Sequence, residues 1–128
     1  MSSYIVEMKI KKKYIFLGDT DSINLEIIYK SFSYLRNKVK YIIIGNKDDI
    51  LRYQIKINTK IQINSINDPY DFRNIKVNNL NLFNIENISR SKYANLLNQI
   101  NIANYICNKS GIDLVTMPID KSIFKKKI

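Results

Sequence analysis

The chain has 128 residues, 45% of them hydrophobic, which suits one domain with a modest core and excludes disorder as its overall state. One cysteine (Cys107) and no histidine exclude an internal disulfide framework, a Ser-His triad and any imidazole metal site. The net charge of +10 comes mostly from lysine, with arginine only at Arg36, Arg52, Arg73 and Arg90; bidentate phosphate and base contacts favour arginine, so the charge alone does not call for nucleic acid.

Residues 1–12 read as an edge segment or tail, and Lys9, Lys11, Lys12 and Lys13 form a basic run that suits a solvated face. Tyr14-Ile15-Phe16-Leu17 is a short apolar run that stops at the turn cluster Gly18-Asp19-Thr20-Asp21-Ser22, as a buried strand and its loop would. Leu25, Ile28, Phe32 and Leu35 then recur at helical spacing, with Asp21 or Ser22 placed to cap the first turn and Glu26 near its positive dipole end. Tyr41-Ile42-Ile43-Ile44 is apolar on both faces and predicts a central strand of a covered sheet.

Lys47 to Tyr53 suits a short helix with Asp48 and Asp49 at its start. Ile55, Ile57, Ile61 and Ile63 alternate with polar residues, a period that predicts half-buried strands at a sheet edge over 55–66. Asn67-Asp68-Pro69-Tyr70 is a turn, and Leu80, Leu82 and Ile85 mark a further short strand. The clearest helix starts near Ser89 or Ser91, carries Tyr93, Leu96, Leu97, Ile100, Ala103, Ile106 and Cys107 on one face, and stops at Gly111. A strand over Ile112 to Met117 follows, broken by Pro118, and Asp120 and Lys121 open a last short helical piece. Strand and helix alternate, which argues for βαβ units, a largely parallel sheet and a single three-layer α/β/α unit over 1–128.

Ile, Asn, Lys and Tyr, all with AT-rich codons, supply more than half of the chain, whereas alanine occurs only at Ala94 and Ala103. Nucleotide bias thus fits the lysine excess at least as well as selection for a binding partner does. No apolar run reaches the ~20 residues of a membrane span, and the start lacks the layout of a secretory signal.

With glycine only at positions 18, 45 and 111, neither a phosphate-cradling P-loop nor a G-x-G-x-x-G turn can be built. Asp19, Asp21 and Glu26 cluster after a strand, where α/β sheets bind ligands. They suit substrate contact or metal ligation, and equally helix capping. Lys121 can meet an anionic substrate as a point charge and Thr116 can offer a hydroxyl; either also suits an ordinary surface position. Cys107 reads as a small core residue. The nine tyrosines are scattered along the chain and do not announce a base-stacking platform.

Three segments, in order, carry a resemblance. Gly18-Asp19-Thr20-Asp21-Ser22-Ile23-Asn24-Leu25-Glu26-Ile27 resembles G-D-P-A-G-I-G-P-E-I. Ile43-Ile44-Gly45-Asn46-Lys47-Asp48-Asp49-Ile50-Leu51 resembles a strand and turn, I-G-D-P-x-x-L. Gly111 to Lys121 resembles A-D-A-[LV]-V-T-A-P-I-N-K. The family is 4-hydroxythreonine-4-phosphate dehydrogenase, of pyridoxal phosphate (vitamin B6) biosynthesis, and the chain resembles its amino-terminal third.

The resemblance implies an incomplete isocitrate/isopropylmalate dehydrogenase-like fold. It implies a cytoplasmic, homodimeric, NAD-dependent oxidoreductase that oxidises the hydroxyl of a phosphorylated hydroxy amino acid by hydride transfer, with decarboxylation following. A divalent metal (zinc, magnesium or cobalt) polarises the reacting oxygen in such enzymes. Asp19, Glu26, Thr116 and Lys121 fall at substrate-binding positions. The family's G-H-T-E segment, metal-binding histidines and nucleotide-binding half are not among these 128 residues. Within the motifs Thr20, Ser22 and Asn24 replace a proline and two glycines, and Asp120 replaces an asparagine. The chain alone is therefore expected to bind neither NAD nor metal and to carry no catalytic residue of its own, as a fragment, an incomplete gene model or a decaying gene product would. Two other classes remain open: a non-catalytic remnant or interaction module, and a basic nucleic-acid-binding domain.

Overall fold

Two apolar runs of the sequence lie side by side at the heart of a five-stranded sheet in the computed structural model, which describes residues 11–18 and 24–116. Strand β1 spans Lys11–Phe16 and β2 spans Val39–Gly45, in parallel register from Lys11 opposite Val39 to Phe16 opposite Ile44. With β3 (Ile63–Ser65), β4 (Leu80–Asn84) and β5 (Leu114–Thr116) the order is β3-β4-β2-β1-β5, and every pair is parallel.

Parallel neighbours require crossovers. Helices α1 (Asn24–Lys38), α2 (Lys47–Ile57) and α3 (Lys92–Ser110) supply three of them, and a short 3₁₀ turn, Phe72–Asn74, lies on the fourth. One sheet face carries Ile15, Leu17, Tyr41, Ile43, Leu80 and Leu82 against Leu25, Ile28 and Phe32 of α1 and Ile50 of α2. The other carries Tyr14, Phe16, Ile42 and Ile44 against Phe72, Ile85, and Ala103 and Ile106 of α3. This is the three-layer parallel α/β/α arrangement expected from the alternation of elements. Tyr41 to Ile44 are buried on both faces, each removing an apolar side chain from water for roughly 1.5–3 kcal/mol.

The end signals of α3 act as read. Ser91 Oγ accepts the Ala94 N–H at 3.2 Å, and Gly111 takes a φ of 72°, with its N–H on the Cys107 carbonyl at 2.9 Å. Cys107 is half-buried against the second core, and burial pushes its thiol up from the ordinary value.

Two expectations need correction. The basic run is not all tail: β1 begins at Lys11, and its exposed first residues extend the register with β2. Ile55 and Ile57 are not in a strand either. Helix α2 runs on through both and ends where Asn58, at φ 53°, turns its N–H back to the Gln54 and Ile55 carbonyls. Only Ile63–Ser65 of the expected edge segment is strand, and it does lie at the sheet edge. Residues 1–10 and the piece around Asp120 and Lys121 lie outside the described residues.

Candidate functional site at the carboxyl ends of the strands

In a parallel sheet the loops that can hold a ligand leave the carboxyl ends of the strands, and a crevice opens where neighbouring loops depart to opposite faces. Here β2 leads into α2 on one face and its neighbour β4 leads into α3 on the other. Between these two strand ends sits a polar network. Asn46, only 3% exposed, donates from Nδ2 to the Ile85 carbonyl at 3.0 Å and accepts the Asp49 N–H on Oδ1 at 3.2 Å. Asn84 accepts the Lys47 N–H at 2.8 Å and donates to Glu86 Oε1 at 3.0 Å. The Ile85 N–H reaches the Gly45 carbonyl at 2.8 Å. The side chains thus occupy amides at the start of α2 and lock the two strand ends together.

Gly45 is fixed by a neighbour. A Cβ added there would stand 3.0 Å from both Cβ and Cδ2 of Leu17, which is fully buried. Leu17 is tethered through its N–H to the Ile44 carbonyl at 3.0 Å and cannot withdraw. Gly45→Ala is expected to lower stability by about 1–2 kcal/mol, read as a shift in the denaturation midpoint at constant slope.

The sequence-predicted residues fall unevenly on this edge. Thr116 is the exposed last residue of β5 and pairs with Phe16 near the end of β1. Glu26 lies in the first turn of α1, the helix that follows β1. Lys30, one turn on, forms an ion pair with it at 2.8 Å and holds its carboxyl below the usual range. Asp19 and Lys121 lie outside the described residues, as does Asp21. The segments of the three sequence motifs lead from or into β1, β2 and β5, and β2-β1-β5 are consecutive in the sheet. Residue type alone does not mark Asn46 and Asn84 in so asparagine-rich a chain. The signal for Asn46 was its place after Gly45 and before two acidic residues, which is the pattern of a helix cap.

The residues described do not fit the groups the resemblance implies. Among them no three acidic or cysteine side chains gather where a metal ion could sit, and the chain has no histidine. A dinucleotide pyrophosphate needs free amides at a helix start, and two of those of α2 are taken by Asn46 and Asn84.

Fold and edge together define a five-stranded parallel α/β unit. Among solved structures it is similar to a 4-hydroxythreonine-4-phosphate dehydrogenase from Burkholderia phymatum, with a TM-score of 0.75 and 16% identity over 92% of this chain and 39% of that one. It is similar also to the enzyme of that name from Klebsiella pneumoniae, with a TM-score of 0.73 and 17% identity over 91% of this chain and 39% of that one. The chain therefore spans about two fifths of the length of the solved chains it matches. At these identities the likeness is one of fold, and it is the fold the three motifs led to expect. No family model and no curated protein matches the sequence.

Proposed function

We propose that the chain forms the amino-terminal, substrate-side part of an oxidoreductase like 4-hydroxythreonine-4-phosphate dehydrogenase, acting in pyridoxal phosphate biosynthesis. The observation that carries this reading is the adjacency of β2, β1 and β5, each joined to one motif, within a fold shared with two solved enzymes of that name. The full reaction, hydroxyl oxidation with NAD and then decarboxylation, belongs to a cytoplasmic homodimer in this reading. No step of hydride transfer or metal chemistry is assigned to this chain, whose described residues gather no metal-ligand cluster and leave two amides at the start of α2 occupied.

The role left to them is binding. Thr116 donates a hydroxyl hydrogen bond to the phosphorylated hydroxy amino acid, and Lys121 meets its negative charge as an ammonium. Asp19 and Glu26 accept from its amino and hydroxyl groups. The Glu26 carboxylate is held at this edge by its ion pair with Lys30.

Calorimetric titration tests the reading. 4-Phosphohydroxythreonine should bind the chain, Thr116→Val should weaken it roughly fivefold, and NAD with zinc should give no heat. Absence of substrate binding overturns the substrate-side role. Binding of NAD and zinc overturns the assignment of those groups to other residues.

A further inference from the structure

On the side of the sheet covered by α3, toward the amino ends of the strands, cations and aromatic rings alternate along a strip. Lys12 and Lys40 are directly opposite in the β1–β2 register, so they share a face. Lys12 Nζ lies 5.6 Å from the Phe72 ring centroid, and the Phe72 ring lies 5.3 Å from that of Tyr14. The Tyr14 hydroxyl donates to the Pro69 carbonyl at 2.6 Å, which holds the loop bearing Tyr70 in place. Lys109, near the end of α3, sets its Nζ 5.5 Å from the Tyr70 centroid and 5.8 Å from that of Tyr105. A concavity of about 160 Å³ beside Lys40, Phe72 and Arg73 continues the strip. Tyrosines that the sequence scatters are gathered here by the fold.

Charge and exposure make the strip available. Asp71 is engaged by Arg73 and Asp113 by Lys13, while Asp68 Oδ1 accepts the Tyr70 N–H at 2.9 Å on the same loop. Among the described residues no carboxylate forms an ion pair with Lys12, Lys40 or Lys109. Lys12 and Lys40 are both exposed and stand side by side in the register. Tyr70 is 38% exposed and Tyr105 63% exposed.

We propose that this strip docks single-stranded nucleic acid, its phosphates on Lys12, Lys40 and Lys109 and its bases stacked on Tyr70 and Tyr105. Unpaired bases offer faces to flat side chains whatever their sequence, and lysines track the backbone as point charges. A duplex hides its base faces, and an acidic protein would use the lysines without the rings.

Fluorescence anisotropy with a labelled oligothymidylate of about 12 nucleotides tests this. The expected Kd lies within about 10⁻⁴ to 10⁻⁶ M, and three phosphate contacts give a slope of log K against log salt near about −2. Tyr105→Ala, at a largely exposed position, should weaken binding at least about fivefold, and Tyr105→Phe should restore it. Lys40→Glu with Lys109→Glu should abolish binding, whereas Lys56→Glu with Lys60→Glu, which change the net charge equally outside the strip, should leave it intact.

Several outcomes overturn the proposal. They are no binding at low salt, equal loss in the two charge-reversed pairs, no effect of Tyr105→Ala, and a duplex of the same length bound as tightly. Binding to phosphatidylserine vesicles without binding to the oligonucleotide gives the strip to a membrane surface instead and likewise overturns it.

Discussion

Asn46→Ala is expected to lower the unfolding free energy by about 2–4 kcal/mol, a large effect for a polar residue. Two losses combine. The cap on the Asp49 N–H disappears, a change worth about 1 kcal/mol. The Ile85 carbonyl loses its donor inside a site that water does not reach, which costs about 1–3 kcal/mol more. Asn46→Asp separates the two. It keeps an oxygen for the Asp49 N–H but has no amide proton for Ile85, and it brings a negative charge beside a carbonyl. At neutral pH it should be no more stable than the alanine variant, and acid should narrow the deficit as the new carboxyl takes up a proton. Urea denaturation reads both. A loss below about 0.5 kcal/mol in Asn46→Ala, the size of an ordinary surface change, would show that the network does not hold β2 and β4 together.

Alkaline unfolding is the second large expectation. Burial pushes the Tyr41 hydroxyl up to about 12, and that of Tyr29 also to about 12. Neither the Tyr41 nor the Tyr29 hydroxyl closes a hydrogen bond among the described residues, although that of Tyr29 lies near Gln54. Both phenols stay protonated in the fold beyond the pH near 10 at which an unfolded tyrosine ionises. Their contribution is therefore complete below pH 10 and is lost as the pH rises from 10 to 12. At about 1.4 kcal/mol per unit, each removes on the order of 2–3 kcal/mol by the end of that window. Circular dichroism followed from pH 8 upward should show cooperative unfolding there. Tyr41→Phe should move the transition to higher pH and cost nothing at neutral pH, since it deletes a hydroxyl that is buried without a partner. A destabilised Tyr41→Phe would reveal a hydrogen bond to that oxygen.

The sequence was most legible where burial is simplest. Tyr14 to Leu17 and Tyr41 to Ile44 are covered on both faces, so no polar residue interrupts them and their strands stand out. The cap at Ser91 and the stop at Gly111 are local chemistry and needed no tertiary context. Helix α2 outruns its sequence signal because its inward positions include Gln54, a polar side chain buried by its bond to Ile61, while Ile55 is 81% exposed. Polar inside and apolar outside inverted the helical period and left an alternation that looks like a strand. Strand β4 was faint for a related reason. Asn81, buried between Leu80 and Leu82, is satisfied by Lys76 and Asn64, and nothing in an asparagine-rich sequence marks one asparagine as interior. The same abundance hid Asn46 and Asn84. Of the substrate-binding candidates, Thr116 and Glu26 could be placed on the fold, whereas Asp19 and Lys121 fall outside the described residues.

The pairing of β1 with β5 bears on how the chain is born. Lys13 and Asp113, joined across it at 2.8 Å, are 100 residues apart in sequence. Strand β1 meets β2 soon after both leave the ribosome, yet its other flank has to wait until nearly the whole sheet has been translated. Closing so distant a contact is slow, and in that interval a ribbon of unpaired amides bordered by Tyr14, Ile15 and Phe16 stays open to chaperones and to neighbouring nascent chains.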